Sequence, residues 1–325
     1  MSDDLNLDVY LPRFAQFLLS GDDARAFAKL CAVGTWEVDA KHPIEASLCK
    51  QFGIKKQADW PLAPLALMGE GEEQKTGYWL LAHPVHFVLQ RDYFTLGDVV
   101  RLSTDEVKSL SADLNQHFAQ EGFSFLPSKA GDFLYLHVNG DVDVTTFLLS
   151  EAMGRDVGKY MPSGKDGMKL QALLNEVQML LHDHPMNQAR EQNALSPVNS
   201  LWLSGGGCVA SMNQPAKELS VQFFASDIFS LGLAKWAGIP CQTLAAADRA
   251  LKPAGDVVVV TDNHDLERDW FAPLLQRLKK KELKALRFHF DVHGMTFTLN
   301  LKSLDTWKFW RKASPISSYF NVVDD

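Results

Sequence analysis

The run Asp256-Val257-Val258-Val259-Val260 decides the fold. Every position after the first is apolar and nothing alternates, which suits a strand buried on both faces of a parallel sheet. Downstream, Asp265 to Leu283 reads as a helix and Ala285 to Leu301 as a hairpin turning at His293-Gly294. Upstream, Ser220 to Phe224 reads as a strand, Ser226 to Ala237 as a helix, and Cys241 to Thr243 as a short strand. Ser200 to Leu203 is a further strand, leading into Gly205-Gly206-Gly207. Strand–helix alternation of this kind implies an α/β core. Leu5 to Leu11 supplies a strand ending at Pro12, followed by helical stretches from Phe14 to Cys31 and Ile44 to Phe52. The expected sheet is mostly parallel and is fed by Val9, Leu201, Phe223 and Val258.

The middle of the chain has another texture. Residues 53–76 are rich in Gly, Pro and charge and read as a loop. Strands are expected at Gly77 to Ala82 and His86 to Gln90, and as a pair at Phe123 to Phe125 and Phe133 to Val138. Ser103-Thr104-Asp105-Glu106 opens a helix with a capping hydroxyl and acids in the first turn, and Leu170 to Leu181 forms another. The organisation expected is residues 1–60 and 200–325 as the α/β core, with 61–199 an inserted α+β cap. Lys279-Lys280-Lys281 reads as the solvated end of a helix.

Composition narrows the function classes. The 325 residues carry 32 Lys plus Arg against 40 Asp plus Glu, a net charge of −8. That balance argues against a nucleic-acid partner, whose binding rests on clustered cations. At 46% apolar and 22% charged residues the chain is not disordered. Cys31, Cys49, Cys208 and Cys241 form no C-x-x-C pair, so reduced, mostly buried thiols are expected rather than a zinc ribbon or disulfides. The acidic N-terminus lacks the flanks of a signal peptide, and no window approaches 18 uninterrupted apolar residues. The expectation is a cytoplasmic protein with neither membrane nor nucleic-acid partners.

The segment His182 to Gly207 is densest in chemistry. His184, Asn187 and Arg190 sit three apart, which places them on one face if the turn stays helical. Arg offers a donor fork for phosphate or carboxylate, Asn an amide. Gly205, Gly206 and Gly207 let backbone amides approach an anion closely. With Asn199, this set suits a small phosphorylated acid. The same residues could equally cap, turn, or pair with Glu191, and the glycines could serve a tight reversal. The run fits neither a P-loop nor a dinucleotide fingerprint. Asp262, His264 and Asp265 are legitimate ligand types for Mn²⁺ or Zn²⁺, or else caps for the following helix. His83 and His86 fall on opposite faces of a strand. Trp307 and Trp310, with Lys308 and Phe309, read as a docking surface or as a core stripe.

The run Asn175-Glu176-Val177-Gln178-Met179-Leu180-Leu181-His182, with His184-Pro185-Met186-Asn187, Arg190-Glu191 and Pro197-Val198-Asn199-Ser200-Leu201-Trp202, resembles the RpfE-type regulatory proteins of Gram-negative bacteria. Those look like distant relatives of the archaeal-type cofactor-independent phosphoglycerate mutases, in the alkaline phosphatase superfamily. Gly77-Tyr-Trp-Leu-Leu-Ala-His-Pro-Val-His86 is similar too, with His83 where the family typically has Asp. The resemblance covers about 77–207 and implies a reduced alkaline-phosphatase-like core.

Such mutases work through a phosphoserine and two divalent metals held at the ends of core strands. The first strand should run into Asp-Gly; here it runs into Leu11-Pro12-Arg13. A Pro-Gly-Ser-Asp segment should present the nucleophile, yet between residues 14 and 76 the only serines are Ser20 and Ser47. The usual Asp-x-x-x-His spacing is absent after Val260. The resemblance therefore implies a pseudoenzyme with a regulatory role and no cofactor. In it, Arg190 would hold a phosphate or carboxylate, Asn187 and Asn199 would orient it, and His184 would donate to a hydroxyl. Two alternatives stand beside this. One is an active mutase or phosphatase using Mn²⁺ or Zn²⁺ on Asp262, His264 and Asp265. The other is a scaffold for a regulatory protein partner, docking through the Trp-rich tail.

Overall fold

The computed structural model describes residues 5–12, 14, 24–72, 76–140, 142–213, 219–243, 255–262, 265–308 and 310–320. The chain divides into two compact units, residues 1–52 with 215–325, and residues 53–214. The first unit begins with β1 (Asn6–Leu11), α1 (Arg25–Val33), β2 (Thr35–Asp39) and α2 (Ile44–Gln51). The second runs through α3 (Leu62–Gly69), β3 (Tyr78–Leu89), β4 (Phe94–Val99), α4 (Thr104–His117), β5 (Phe123–Pro127), β6 (Leu134–Val138), α5 (Gly167–His182), α6 (Pro185–Gln192) and β7 (Ser200–Gly207). The first unit then resumes with β8 (Val221–Phe224), α7 (Ile228–Ala237), β9 (Cys241–Gln242), β10 (Asp256–Val260), α8 (Ala272–Lys279), β11 (Ala285–Val292) and β12 (Met295–Leu301).

In the first unit the sheet order is β2-β12-β11-β1-β10-β8-β9. β1 lies parallel to both β10 and β11, with Val9 opposite Val259 and Phe288. β8 and β9 continue the parallel set, while β12 and β2 add an antiparallel edge. The valine run behaves as its composition requires. Val257 and Val259 enter a core with Leu7, Val9, Phe27 and Phe288, and Val258 is buried as well. β11 and β12 turn at His293 and Gly294, whose φ values of 52° and 75° give the left-handed pair a two-residue hairpin needs. Helix α1 has no side-chain cap of its own; the Glu267 carboxylate accepts from the amides of Ala26 (2.5 Å) and Phe27 (3.1 Å) at its start. A carboxylate there also meets the positive end of the helix dipole.

The second unit is built on an antiparallel sheet in the order β4-β3-β6-β5, with β7 paired to β3. Helices α4 and α5 bury Leu110, Leu114, Phe118, Leu173 and Val177 against Leu80, Leu134, Leu136 and Leu201. Burying such a side chain fully is worth about 1.5–3 kcal/mol, so this layer dominates the unit's stability.

The α/β class with one mostly parallel sheet is as expected, but three expectations need correction. Leu201 does not feed the parallel sheet: it pairs antiparallel with Pro84, and Trp202 with His83. All eight residues of β7 are buried, so no periodicity distinguishes a central antiparallel strand from a parallel one. The unit boundaries accordingly fall at 52/53 and 214/215 rather than at 60/61 and 199/200. The two strands expected at 77–82 and 86–90 are one strand, continuous through Pro84. The early part of the expected helix from Phe14 lies largely outside the described residues, as does Ser20, and α1 begins at Arg25.

Candidate functional site

The densest polar constellation starts at the head of α4. Ser103 caps the helix, its Oγ accepting from the Glu106 amide while Glu106 accepts from the Ser103 amide at 2.7 Å. The other oxygen of Glu106 accepts from Arg190 Nη1 at 2.8 Å, and Arg190 Nε donates to the Ser196 carbonyl at 2.8 Å. Arg190 is buried. Desolvation pushes the Glu106 carboxyl up, but the bonds from Ser103 and Arg190 outweigh it and hold the group below the usual range.

His184 is the N-cap of α6. Its Nδ1 accepts from the Met186 amide (3.1 Å), which places the proton on Nε2 to donate to Asp113 (3.0 Å). Asn187 is buried and makes three backbone bonds: its amide donates to Leu181 O and Val198 O (both 2.7 Å), and its oxygen accepts from Val198 N (2.8 Å). Asn199 clamps Phe87 through both its carbonyl (2.8 Å) and its amide (2.7 Å). His86 Nδ1 lies 3.0 Å from the Pro197 carbonyl.

The four side chains expected to hold a ligand are thus engaged with the chain's own groups. They pin the α5–α6 corner and residues 196–199 onto α4 and β3. A cavity of about 290 Å³ does open at His184, but Asp105, Glu106 and Asp113 line it and no Lys or Arg does. Its charge has the wrong sign for a phosphorylated acid.

The glycines have a packing role. A Cβ on Gly205 would lie 2.8 Å from Leu62 Cβ, one on Gly206 2.3 Å from Tyr78 Oη, and one on Gly207 2.7 Å from Pro61. Gly205 also has φ +64°. The anion that the Gly206 amide meets is internal: the Asp59 carboxylate, which also takes the Thr146 amide and hydroxyl. Burial raises the Asp59 pKa, and the bonds from Thr146 only partly offset it. His83 stacks on Phe133 with its Nδ1 buried and unpartnered; desolvation lowers its pKa to about 4, against the opposing pull of Asp132.

In the first unit the notable cluster surrounds Asp8, a carboxylate inside an apolar strand. Arg287 grips it through Nε (2.5 Å) and Nη2 (2.6 Å), and His289 Nε2 lies 3.0 Å away. Gln51 adds a 3.3 Å bond, and His289 stacks on Tyr10. Desolvation raises the Asp8 pKa, but His289 and Arg287 bring it below the usual value. Sequence reading missed this cluster. The available signal was the matched i, i+2 polar pairs, Asp8 with Tyr10 and Arg287 with His289, on otherwise apolar strands.

Of the metal candidates, Asp265 caps the following helical turn, accepting from the Arg268 amide (3.1 Å) and pairing with its guanidinium (2.8 Å). Asp262 is exposed, and His264 lies outside the described residues. Among the described residues no three His, Cys, Asp or Glu side chains gather to hold a metal ion. Trp307 and Trp310 are exposed, against the reading of a core stripe, and Phe309 lies outside the described residues. Cys31 and Cys49 are buried and Cys208 and Cys241 partly so, all as free thiols. No helix among the described residues is long and apolar enough to cross a membrane.

With this geometry in place, comparison with known proteins is informative over a limited stretch. A probable 2,3-bisphosphoglycerate-independent phosphoglycerate mutase of Geobacter sulfurreducens is 27% identical over 106 residues, 33% of this chain and 27% of that protein. Mutases of the same description from Methanosarcina mazei and Methanosarcina acetivorans are 28% and 30% identical over 109 and 108 residues, again 33% of this chain and 27% of theirs. Part of this chain is distantly homologous to cofactor-independent phosphoglycerate mutases. The match spans only about a quarter of each relative's length. No family model matches the chain. Among solved structures, a cofactor-independent phosphoglycerate mutase from Thermoplasma acidophilum is similar with a TM-score of 0.41 at 16% identity, covering 100% of this chain and 96% of that one. The PH0037 protein of Pyrococcus horikoshii gives 0.45 at 13%, covering 93% and 88%.

Proposed function

We propose that this chain is a non-catalytic relative of the cofactor-independent phosphoglycerate mutases, acting by binding a regulatory partner in the manner of RpfE-type proteins. The end of β1 carries the reading. Where the mutases need a metal-binding carboxylate, this chain has Leu11, packed into the apolar core, and Pro12. The one carboxylate on that strand, Asp8, is held by Arg287 and His289. A pocket for a phosphorylated acid built from His184, Asn187, Arg190 and Asn199 is not part of this reading, because those groups are satisfied internally.

The test is a set of thermal melts with 2- and 3-phosphoglycerate, with and without Mn²⁺. A ligand at a hundred times its Kd adds about 2.7 kcal/mol of stability, a readily visible shift. The expected result is no shift from either compound. A Mn²⁺-dependent shift that disappears in Asp262→Ala would instead establish a relocated metal site and overturn the reading.

A further inference from the structure

Beyond that reading, we propose that the first unit carries a docking surface for anionic phospholipid, built from the turn Ser303–Trp307 and the residues after it. Leu304, Trp307 and Trp310 are 75%, 65% and 67% exposed. Three large apolar side chains are this exposed within seven residues. A folded protein partner would need matching pockets to bury them, whereas an acyl–headgroup boundary accepts such anchors without any.

The charges around them are the second observation. Lys302, Arg311 and Lys312 flank the turn and are exposed. Ser303 Oγ donates to the Leu283 carbonyl at 2.8 Å, which brings the exposed Lys281 and Lys284 beside the same turn, with Lys279 and Lys280 at the end of α8 just before them. Of the described acids in this stretch, Asp305 pairs with Lys308 at 2.5 Å, and Glu282 with Arg277 at 3.1 Å. In a chain of net charge −8, a cationic rim around exposed Trp and Leu is complementary to an anionic surface. Polybasic clusters beside apolar anchors recognise acidic headgroups, each cation strengthening binding by about fivefold. Nucleic acid would use the cations but leave Leu304 without a partner.

The test is co-sedimentation of the full chain with phosphatidylcholine vesicles and with vesicles that also contain phosphatidylserine. Pelleting is expected only with the anionic vesicles, and it should weaken as salt rises. Trp307→Ser with Trp310→Ser should lower the bound fraction by roughly tenfold or more. Arg311→Gln with Lys312→Gln should lower it further and flatten the salt dependence. These side chains are exposed, so the variants should keep the far-UV spectrum and melting temperature of the parent. No pelleting on anionic vesicles overturns the proposal, as does pelleting that survives loss of both Trp residues. Equal pelleting on neutral vesicles also overturns it. Tight binding of an oligonucleotide that ignores the Trp substitutions would assign the patch to nucleic acid instead.

Discussion

Arg190→Ala separates an architectural role from a ligand-binding one. The substitution removes two bonds from a buried guanidinium, to Ser196 O and to Glu106. Breaking a buried ion pair costs about 3–5 kcal/mol. Glu106 is 25% exposed and keeps its bond from Ser103, so part of that cost is relieved by water. The expected loss is about 2–4 kcal/mol, concentrated where Arg190 ties residues 190–199 to α4. Hydrogen exchange followed by mass spectrometry reads this locally. The Val198 amide, which donates to Asn187 Oδ1, is the reporter. Its exchange should accelerate by about thirtyfold or more if local opening carries the loss. Arg190→Lys should recover only part of the protection, because one ammonium cannot reproduce the two directed bonds. Unchanged exchange in Arg190→Ala, together with lost binding of a phosphorylated acid, would refute the architectural assignment.

Other perturbations test the remaining contacts. Asn187→Ala removes the buried bonds that Asn187 makes to Leu181 O, Val198 O and Val198 N and should cost about 2–4 kcal/mol by denaturant titration of the second unit's signal. Gly206→Ala places a methyl against Tyr78 and should destabilise markedly. Tyr78→Phe, by contrast, removes a buried hydroxyl that has no hydrogen-bond partner, so its stability should stay within about 1 kcal/mol of the parent or rise. Asp8 has a lowered pKa in the folded chain, so its stabilising contribution is present above the unfolded value of about 3.9. That contribution is lost as pH falls through the depressed folded value. Asp8→Asn should therefore reduce stability at neutral pH and flatten the acid limb of the stability–pH curve; an acid limb identical to the parent's would contradict the Arg287–His289 assignment.

Much of the fold could be read directly. The unalternating valines announced a strand buried on both faces, and His293-Gly294 announced the hairpin turn that its two positive φ values realise. The Ser103 cap was equally legible, because capping is a local contest between a side chain and a backbone amide. What escaped was non-local. Nothing in Ser200 to Gly207 says whether its neighbour is parallel or antiparallel. The Glu267 cap on α1 lies some 240 residues away in sequence. The role of the candidate site residues was not legible for a related reason. His184, Asn187, Arg190 and Asn199 have the donor types a bound phosphate needs, but these are also the donor types that a helix corner and a strand edge need. Only the positions of Leu181 O, Val198 O, Ser196 O and Phe87 O decide between the two. Trp307 and Trp310 show the converse, since their composition suited a core and only the structure exposes them.

In the function proposed above, this chain keeps a mutase-like stretch of sequence for folding and not for chemistry. The most direct measurement is phosphorus NMR of 3-phosphoglycerate mixed with a stoichiometric amount of the full chain and Mn²⁺. The 3-phosphoglycerate resonance should persist, with no 2-phosphoglycerate and no inorganic phosphate formed, if the chain is non-catalytic. Conversion to either product that is abolished in Asp262→Ala would contradict it.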